Sequence, residues 1–249
     1  QIKEFICTCC GATSGDYGGT YVVPSLPDKG TQPTTMSYKL ATCLTCGHVK
    51  AFPLPAEEDV HRYYASEKFW NAQGVDDSFK GRQWYQNVTG NSGLWERYHR
   101  AGHQLSVIEK TLKLEKKAKI LDLGSGYSPF LYHCQKRGFE NLYALDPSPN
   151  VCQFLETQGI PTYNMLFEDY ICLDDPIKFD IMVISHAIEH LIDPVRILIG
   201  LRKHLTDDGF LYIDVPFQDH PQRRLMAVAI DLQPQWLNPT AYSGPFFRQ

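Results

Sequence analysis

No apolar run in the 249-residue chain approaches the roughly 18 residues that cross a bilayer. The amino-terminal stretch also lacks the charged-then-apolar layout of a secretory leader. Together these absences predict a cytoplasmic protein with no membrane partner. Excess positive charge is missing as well: 24 basic side chains face 28 acidic ones, for a net charge of −4. General attraction to nucleic acid is therefore disfavoured. Cysteine is sparse beyond the first fifth of the chain, where only Cys134, Cys152 and Cys172 occur. Such scattered thiols do not outline a disulfide framework. What is present in quantity is apolar surface, 43% of residues, enough to bury one domain's core and leave room for a smaller module.

The first fifth holds the other five cysteines, Cys7, Cys9, Cys10, Cys43 and Cys46. Cys7-x-x-Cys10-Gly11 and Cys43-x-x-Cys46-Gly47 form two matched knuckles. A glycine after the second cysteine lets each turn aim its amides at the sulfurs, and four thiolates satisfy tetrahedral zinc. Paired C-x-x-C motifs in a chain read as cytosolic point to metal rather than disulfides. Cys9 competes with Cys10 for the fourth position, and the symmetry of the two Cys-Gly knuckles favours Cys10. A closed four-cysteine site has no open coordination position, so its role is structural. The 32 residues between the knuckles are rich in Gly, Pro and Thr and predict a small zinc-ribbon-like β module over 1–56.

Aromatic residues accumulate next: Tyr63, Tyr64, Phe69, Trp70, Phe79, Trp84, Tyr85 and Trp95. They read either as packing between modules or as a lid in which Tyr63 or Tyr64 reaches an acceptor. A helix is expected from 94 to 112, with Leu105, Ile108 and Leu112 at helical spacing. The segment 57–118 is thus an aromatic-rich, helical connector.

The stretch 119–129 then organises the remainder. An apolar run carries Asp122 and breaks into Gly124-Ser125-Gly126, which reads as a buried parallel strand, a tight turn and a helix. Pro129 suits the first helical turn and also occupies the place of a dinucleotide fingerprint's third glycine, which disfavours NAD. A second apolar strand ends in Asp146, about twenty residues beyond the glycines, where an acid can accept hydrogen bonds from ribose hydroxyls. The pair indicates a nucleoside-containing cofactor.

Beyond Asp146 helices and strands alternate: a helix near 150–158, a strand at 161–164, a buried strand at 178–185, a helix near 195–205 and a strand at 209–215. This order predicts an α/β, Rossmann-like doubly wound sheet over 119–249. His186-x-x-Glu189-His190 matches the inverted zincin motif in letters, but that motif needs one long helix. Here it directly follows a buried strand, and Pro194 is close behind.

Leu121-Asp-Leu-Gly-Ser-Gly126, Asp146, Phe179-Asp180 and Ala187-Ile-Glu-His-Leu-Ile-Asp-Pro194 resemble the class I S-adenosylmethionine-dependent methyltransferases. The resemblance spans about 119–215 and departs from the family at Ser128, where a third glycine is usual. With the four cysteines added, the chain resembles the zinc-bearing methyltransferases of nucleotide-linked deoxysugars. That likeness implies cofactor contacts from Asp122, Gly124, Ser125, Gly126, Asp146, Phe167, Glu168, Ser185 and His186, with Phe167 and Glu168 facing the adenine. It also places Glu189 and His190 at the reacting centre, His190 as general base and Glu189 as its partner. The acceptor implied is a small molecule, a nucleotide-linked sugar, methylated at carbon or oxygen.

Two other functions share this domain order. A zinc-bearing ribosomal RNA base methyltransferase would show closer knuckles and a basic face. A non-catalytic zinc adaptor would keep the fold without turnover. The chain opens on Gln1 rather than Met, and the 34 residues after Val215 offer a possible helix at 226–232 but no convincing strand pair. The two strands that usually close such a sheet are therefore expected to lie outside this sequence.

Overall fold

The computed structural model describes residues 4–24, 35–54, 56–66, 92–174, 176–215 and 240–241. Phe69, Trp70, Phe79, Trp84 and Tyr85, like the expected helix at 226–232, lie outside the described residues. The chain divides into two compact units, 1–63 with 186–198 and 215–249, and 64–185 with 199–214.

The first unit is built on an antiparallel sheet. Its strands β1 (Gly15–Pro24), β2 (Thr35–Cys43) and β3 (Val49–Phe52) pair in sequence order. A two-residue strand near the end of the chain, β9 (Thr240–Ala241), pairs with β3 through Val49↔Ala241 and Lys50↔Thr240. The segment 233–249, in which no strand pair was expected, thus supplies one short strand, and to the small sheet. Phe5, Cys7, Ala41 and Cys43 are buried together, with Cys9, Ala12, Cys46 and Phe52 packed against them. Helix α1 (Glu57–Ala65) follows, with Glu57, Glu58 and Asp59 in its first turn, where carboxylates favour the helix dipole.

The second unit is an α/β sandwich. Helix α2 (Ser92–Leu112) precedes β4 (Lys119–Leu123), α3 (Pro129–Lys136), β5 (Asn141–Leu145), α4 (Pro149–Thr157) and β6 (Thr162–Tyr163). Then come α5 (Phe167–Tyr170), β7 (Phe179–Ser185) and β8 (Leu205–Asp214), and between the last two in sequence α6 (Pro194–Leu201), whose first five residues belong to the first unit. All five strands of this sheet run parallel in the order β6-β5-β4-β7-β8. The order reverses between β4 and β7, which makes the carboxyl ends of these two strands the crevice of an open α/β sheet. The near-continuous apolar runs of β4 and β7 are buried on both faces, as interior parallel strands require. Ala101, Leu105 and Ile108 of α2 join Phe130, Leu131 and Cys134 of α3 in one core, with Leu112 partly buried beside them.

Register brings the strand ends level. Leu123 of β4 pairs with Leu145 of β5 and Ile184 of β7, and Ser185 pairs with Asp214 of β8. Gly124 and Asp146 are therefore the first residues past one sheet edge.

Candidate functional site

The turn after β4 owes its shape to three left-handed residues, Gly124 (φ +66°), Gly126 (φ +52°) and Ser128 (φ +39°). A left-handed conformation at a residue with a Cβ costs roughly 1–2 kcal/mol, a cost that glycine would avoid at position 128. Ser128 offsets that strain with its side chain: its hydroxyl donates to Asp122 Oδ2 at 2.6 Å and accepts from Leu131 N–H at 3.0 Å, capping α3. The signal for this cap was legible as a serine directly before Pro129, but its bond to Asp122 was not.

Asp146 ties the turn to the neighbouring strand. Its Oδ2 accepts from Gly126 N–H at 2.8 Å and its Oδ1 from Ser148 N–H at 2.9 Å. Its backbone is fixed as well, since Asp146 N–H donates to Tyr163 O and Asp146 O accepts from Asn164 Nδ2. Leu145 O receives both Gly124 N–H and Ser125 N–H. Each carboxylate oxygen keeps a second lone pair beyond these amides, so the group can still accept from a vicinal diol. This donor-acceptor set fits the ribose of a nucleoside cofactor.

Burial raises both acids of the turn. Asp122 is pushed up to about 7 by desolvation and by the neighbouring Asp146 charge, against the Ser128 hydrogen bond. Asp146 rises to about 6 by desolvation, opposed by the amides of Ser148 and Gly126. A carboxyl held above its ordinary 3.8 favours the fold while protonated. That contribution is complete below 3.8 and is lost as pH rises through about 7 for Asp122. Asp122→Asn should therefore flatten the decline of stability across this window. At the alkaline end it should be more stable than wild type by at most about 4 kcal/mol. Urea unfolding at a series of pH values checks this, and an unchanged slope would mean that Asp122 ionises freely in the fold.

At the ends of β7 and β8, Gln104 of α2 is buried and donates through Nε2 to Ser185 Oγ at 2.8 Å and to Asp214 Oδ2 at 2.6 Å. Sequence reasoning singled out Ser185 but missed Gln104 and Asp214. The available signal was a lone amide on the helix face that also carries Ala101, Leu105 and Ile108. Phe167 is buried at the start of α5, and Glu168 beside it is partly exposed. Tyr64 is partly exposed.

In the first unit, the residues after β7 turn sharply. His186 is left-handed (φ +53°), and Ile188–His190 form a single 3-10 turn closed by His190 N–H to Ala187 O at 3.0 Å. No long helix carries the H-x-x-E-H letters, and among the described residues they form no metal-ligating group, so the inverted-zincin requirement fails. Glu189 is buried, with Oε1 3.9 Å from His186 Nδ1. His190 keeps some solvent access, yet the dense packing around its ring, with His186 adding repulsion, brings it down to about 4. The imidazole is consequently neutral near pH 7, the form that accepts a proton. Burial also raises the Tyr63 phenol.

The same unit gathers Cys7, Cys10, Cys43 and Cys46, with ligand atoms all within 4.8 Å of one another. The knuckles are built alike. Gly11 (φ +72°) donates to Cys7 O and Gly47 (φ +74°) to Cys43 O, each at 2.9 Å, while Cys7 N–H meets Ala12 O and Cys43 N–H meets His48 O. The Sγ separations of 3.7 Å for Cys7–Cys46 and 3.6 Å for Cys10–Cys43 are far beyond a disulfide bond. They are close to the edge of about 3.8 Å expected for sulfurs placed tetrahedrally at the zinc–sulfur distance. Cys10 belongs to the group, and Cys9 does not.

A family model described as a methyltransferase domain matches residues 94–242. No curated protein matches the chain. Among solved structures, the plantazolicin methyltransferase BpumL bound to a monoazolic substrate analogue and S-adenosylhomocysteine is 15% identical, with a TM-score of 0.49 over 72% of this chain and 66% of its own. A sugar N-methyltransferase from a Streptoalloteichus species is 16% identical, with a TM-score of 0.42 over 61% of this chain and 53% of its own. An S-adenosylmethionine-dependent methyltransferase from Clostridium acetobutylicum is 18% identical, with a TM-score of 0.41 over 48% and 51%. The chain thus spans between half and two thirds of the length of these three proteins.

Proposed function

The chain belongs to the methyltransferase domain family, and on that premise we propose that it is an S-adenosylmethionine-dependent methyltransferase acting on a nucleotide-linked sugar or related glycan precursor. The observation that carries the cofactor reading is the Asp146 carboxylate, fixed by one backbone amide on each oxygen and tied through Gly126 to the left-handed turn. Bound S-adenosylmethionine supplies a methyl group activated on a sulfonium. The chain's own residues bind and orient it: Asp146 accepts the ribose hydroxyls, and Gly124, Ser125 and Gly126 let the backbone come close. Asp122 braces that turn through Ser128. Phe167 and Glu168 meet the adenine, and Ser185 and His186 complete the cofactor contacts.

Methyl transfer is an in-line displacement, so the protein must also align the acceptor and take its proton. His190, neutral at neutral pH, accepts that proton at an imidazole nitrogen, while Glu189 orients it or holds an acceptor hydroxyl. Tyr63 and Tyr64 contribute to the acceptor wall. Cys7, Cys10, Cys43 and Cys46 hold a structural zinc ion, supported by their near-tetrahedral spacing. Among the described residues no helix is long and apolar enough to cross a membrane.

Asp146→Ala should weaken S-adenosylmethionine binding by roughly 1.5–3 kcal/mol, the worth of charge-assisted hydrogen bonds lost from a buried site. Titration calorimetry measures this directly, and wild-type affinity in the variant would reject the assignment. Turnover with nucleotide-linked sugars, set against turnover with structured RNA, tests the acceptor class.

A further inference from the structure

Lys50 is only 3% exposed, an unusual burial for an ammonium group. It lies on β3, directly after the second knuckle, and its Nζ donates to the carbonyl oxygen of Ile6, the residue before Cys7. The same nitrogen sits 5.1 Å over the Phe5 ring. A buried ammonium costs several kcal/mol unless an anion compensates it. Among the described residues no carboxylate forms an ion pair with Lys50. Burial pulls its pKa down, and the carbonyl that holds its Nζ belongs to the residue next to Cys7, a member of the four-cysteine group. A carbonyl and an aromatic face orient the cation, but neither carries a formal charge to balance it.

The four-cysteine centre supplies that charge. Four thiolates around a divalent ion leave a net charge of −2, which is itself costly in a buried setting. We propose that Lys50 is the counter-cation of the metal centre, pinned beside Cys7 by the Ile6 carbonyl so that its ammonium offsets half of the charge left on the tetrathiolate. This rests on the structural-zinc reading above and adds a positioned partner outside the ligands. Groups of this kind orient metal ligands and tune their basicity, and their loss typically costs 10–100-fold in metal affinity. With the ammonium removed, the thiolates bind protons more readily and release the metal sooner.

The test compares three variants of the full chain. Lys50→Gln keeps a donor for the Ile6 carbonyl but removes the charge, Lys50→Met removes both, and Lys50→Arg keeps the charge. Zinc content is measured first, then the rate of zinc transfer to a chromophoric chelator, together with the thiolate-to-metal charge-transfer band of the cobalt(II)-substituted proteins. The glutamine and methionine variants should both lose zinc roughly 10–100-fold faster than wild type, and the arginine variant should stay close to wild type. Slow release from the glutamine variant would show that Lys50 serves only the Ile6 carbonyl, and would overturn the proposal. If the glutamine variant fails to fold, arginine decides: zinc release and a cobalt band like wild type sustain the counter-cation, and rapid loss refutes it. Wild-type protein purified without any metal would instead remove the zinc reading itself, an outcome separate from the variant comparison.

Discussion

Replacing His190 by alanine should lower turnover by roughly 10²–10⁴-fold, the usual cost of losing a positioned general base, while S-adenosylmethionine affinity stays near wild type. The asymmetry follows from where the groups reside. The ribose-binding candidate Asp146 and the glycine turn belong to the unit with the parallel sheet, and His190 stands on the 3-10 turn of the other unit. Removing the imidazole deletes a proton acceptor without touching the Asp146 hydrogen bonds. The pH profile adds a second check. A base held near 4 is deprotonated through the neutral range, so the rate should stay level there and fall only as pH approaches about 4. Acid also costs stability, because an imidazole held below its ordinary 6.5 resists protonation in the fold. That contribution is intact above 6.5 and is lost as pH falls through about 4. Far-ultraviolet circular dichroism across the same range separates the two effects. If His190→Ala turned over at the wild-type rate with a true acceptor, the base would have to be sought among Tyr63, Tyr64 and His186.

The parts of this molecule legible in the sequence are those whose chemistry is local. Gly124 and Gly126 announce a turn because only a few residues adopt positive φ at low cost, and Gly11 and Gly47 announce the knuckles for the same reason. The strand at 119–123 needed only its apolar run. What stayed hidden depends on partners distant in the chain. Gln104 meets Ser185 and Asp214 across 81 and 110 residues, and the lone amide on the apolar face of α2 does not say which groups it meets. Lys50 reads as an ordinary polar residue of a short strand until the fold sets it beside Ile6. Strand β8 shows the intermediate case. Its regular pairing with β7 resumes at Phe210, next to the expected start at Gly209, but the strand extends back to Leu205 through an irregular stretch. Gly209 fits there because a Cβ would lie 2.8 Å from Phe179 O.

Stripping the proposed zinc from the protein should abolish most of its turnover while leaving cofactor affinity within a few-fold of wild type. Among the described residues, two of the four buried members of the cluster around the knuckles, Cys7 and Cys43, are themselves candidate ligands, so the metal and the packing share the same side chains. Structural zinc contributes of order 10–16 kcal/mol in small metal-held folds. Metal loss should therefore release the knuckles and the β2–β3 pairing that begins at Thr42 and Val49. Strand β3 in turn holds β9 through Val49 and Lys50, and β9 lies against the 3-10 turn that carries Glu189 and His190. Loosening β3 thus frees the proposed base from its position by a route that stays inside the first unit. The second unit keeps its own buried core, from Leu105 and Ile120 to Val183, and retains Asp146 and its two amides. Chelator-treated protein should bind S-adenosylmethionine by calorimetry yet turn over roughly 10²-fold more slowly or worse, and added zinc should restore the rate. Cys43→Ser should reproduce the loss without rescue. Full turnover in metal-free protein would show that the cysteine centre does not position His190. Loss of cofactor binding in parallel with turnover would show that the parallel-sheet unit does not hold its site without the metal.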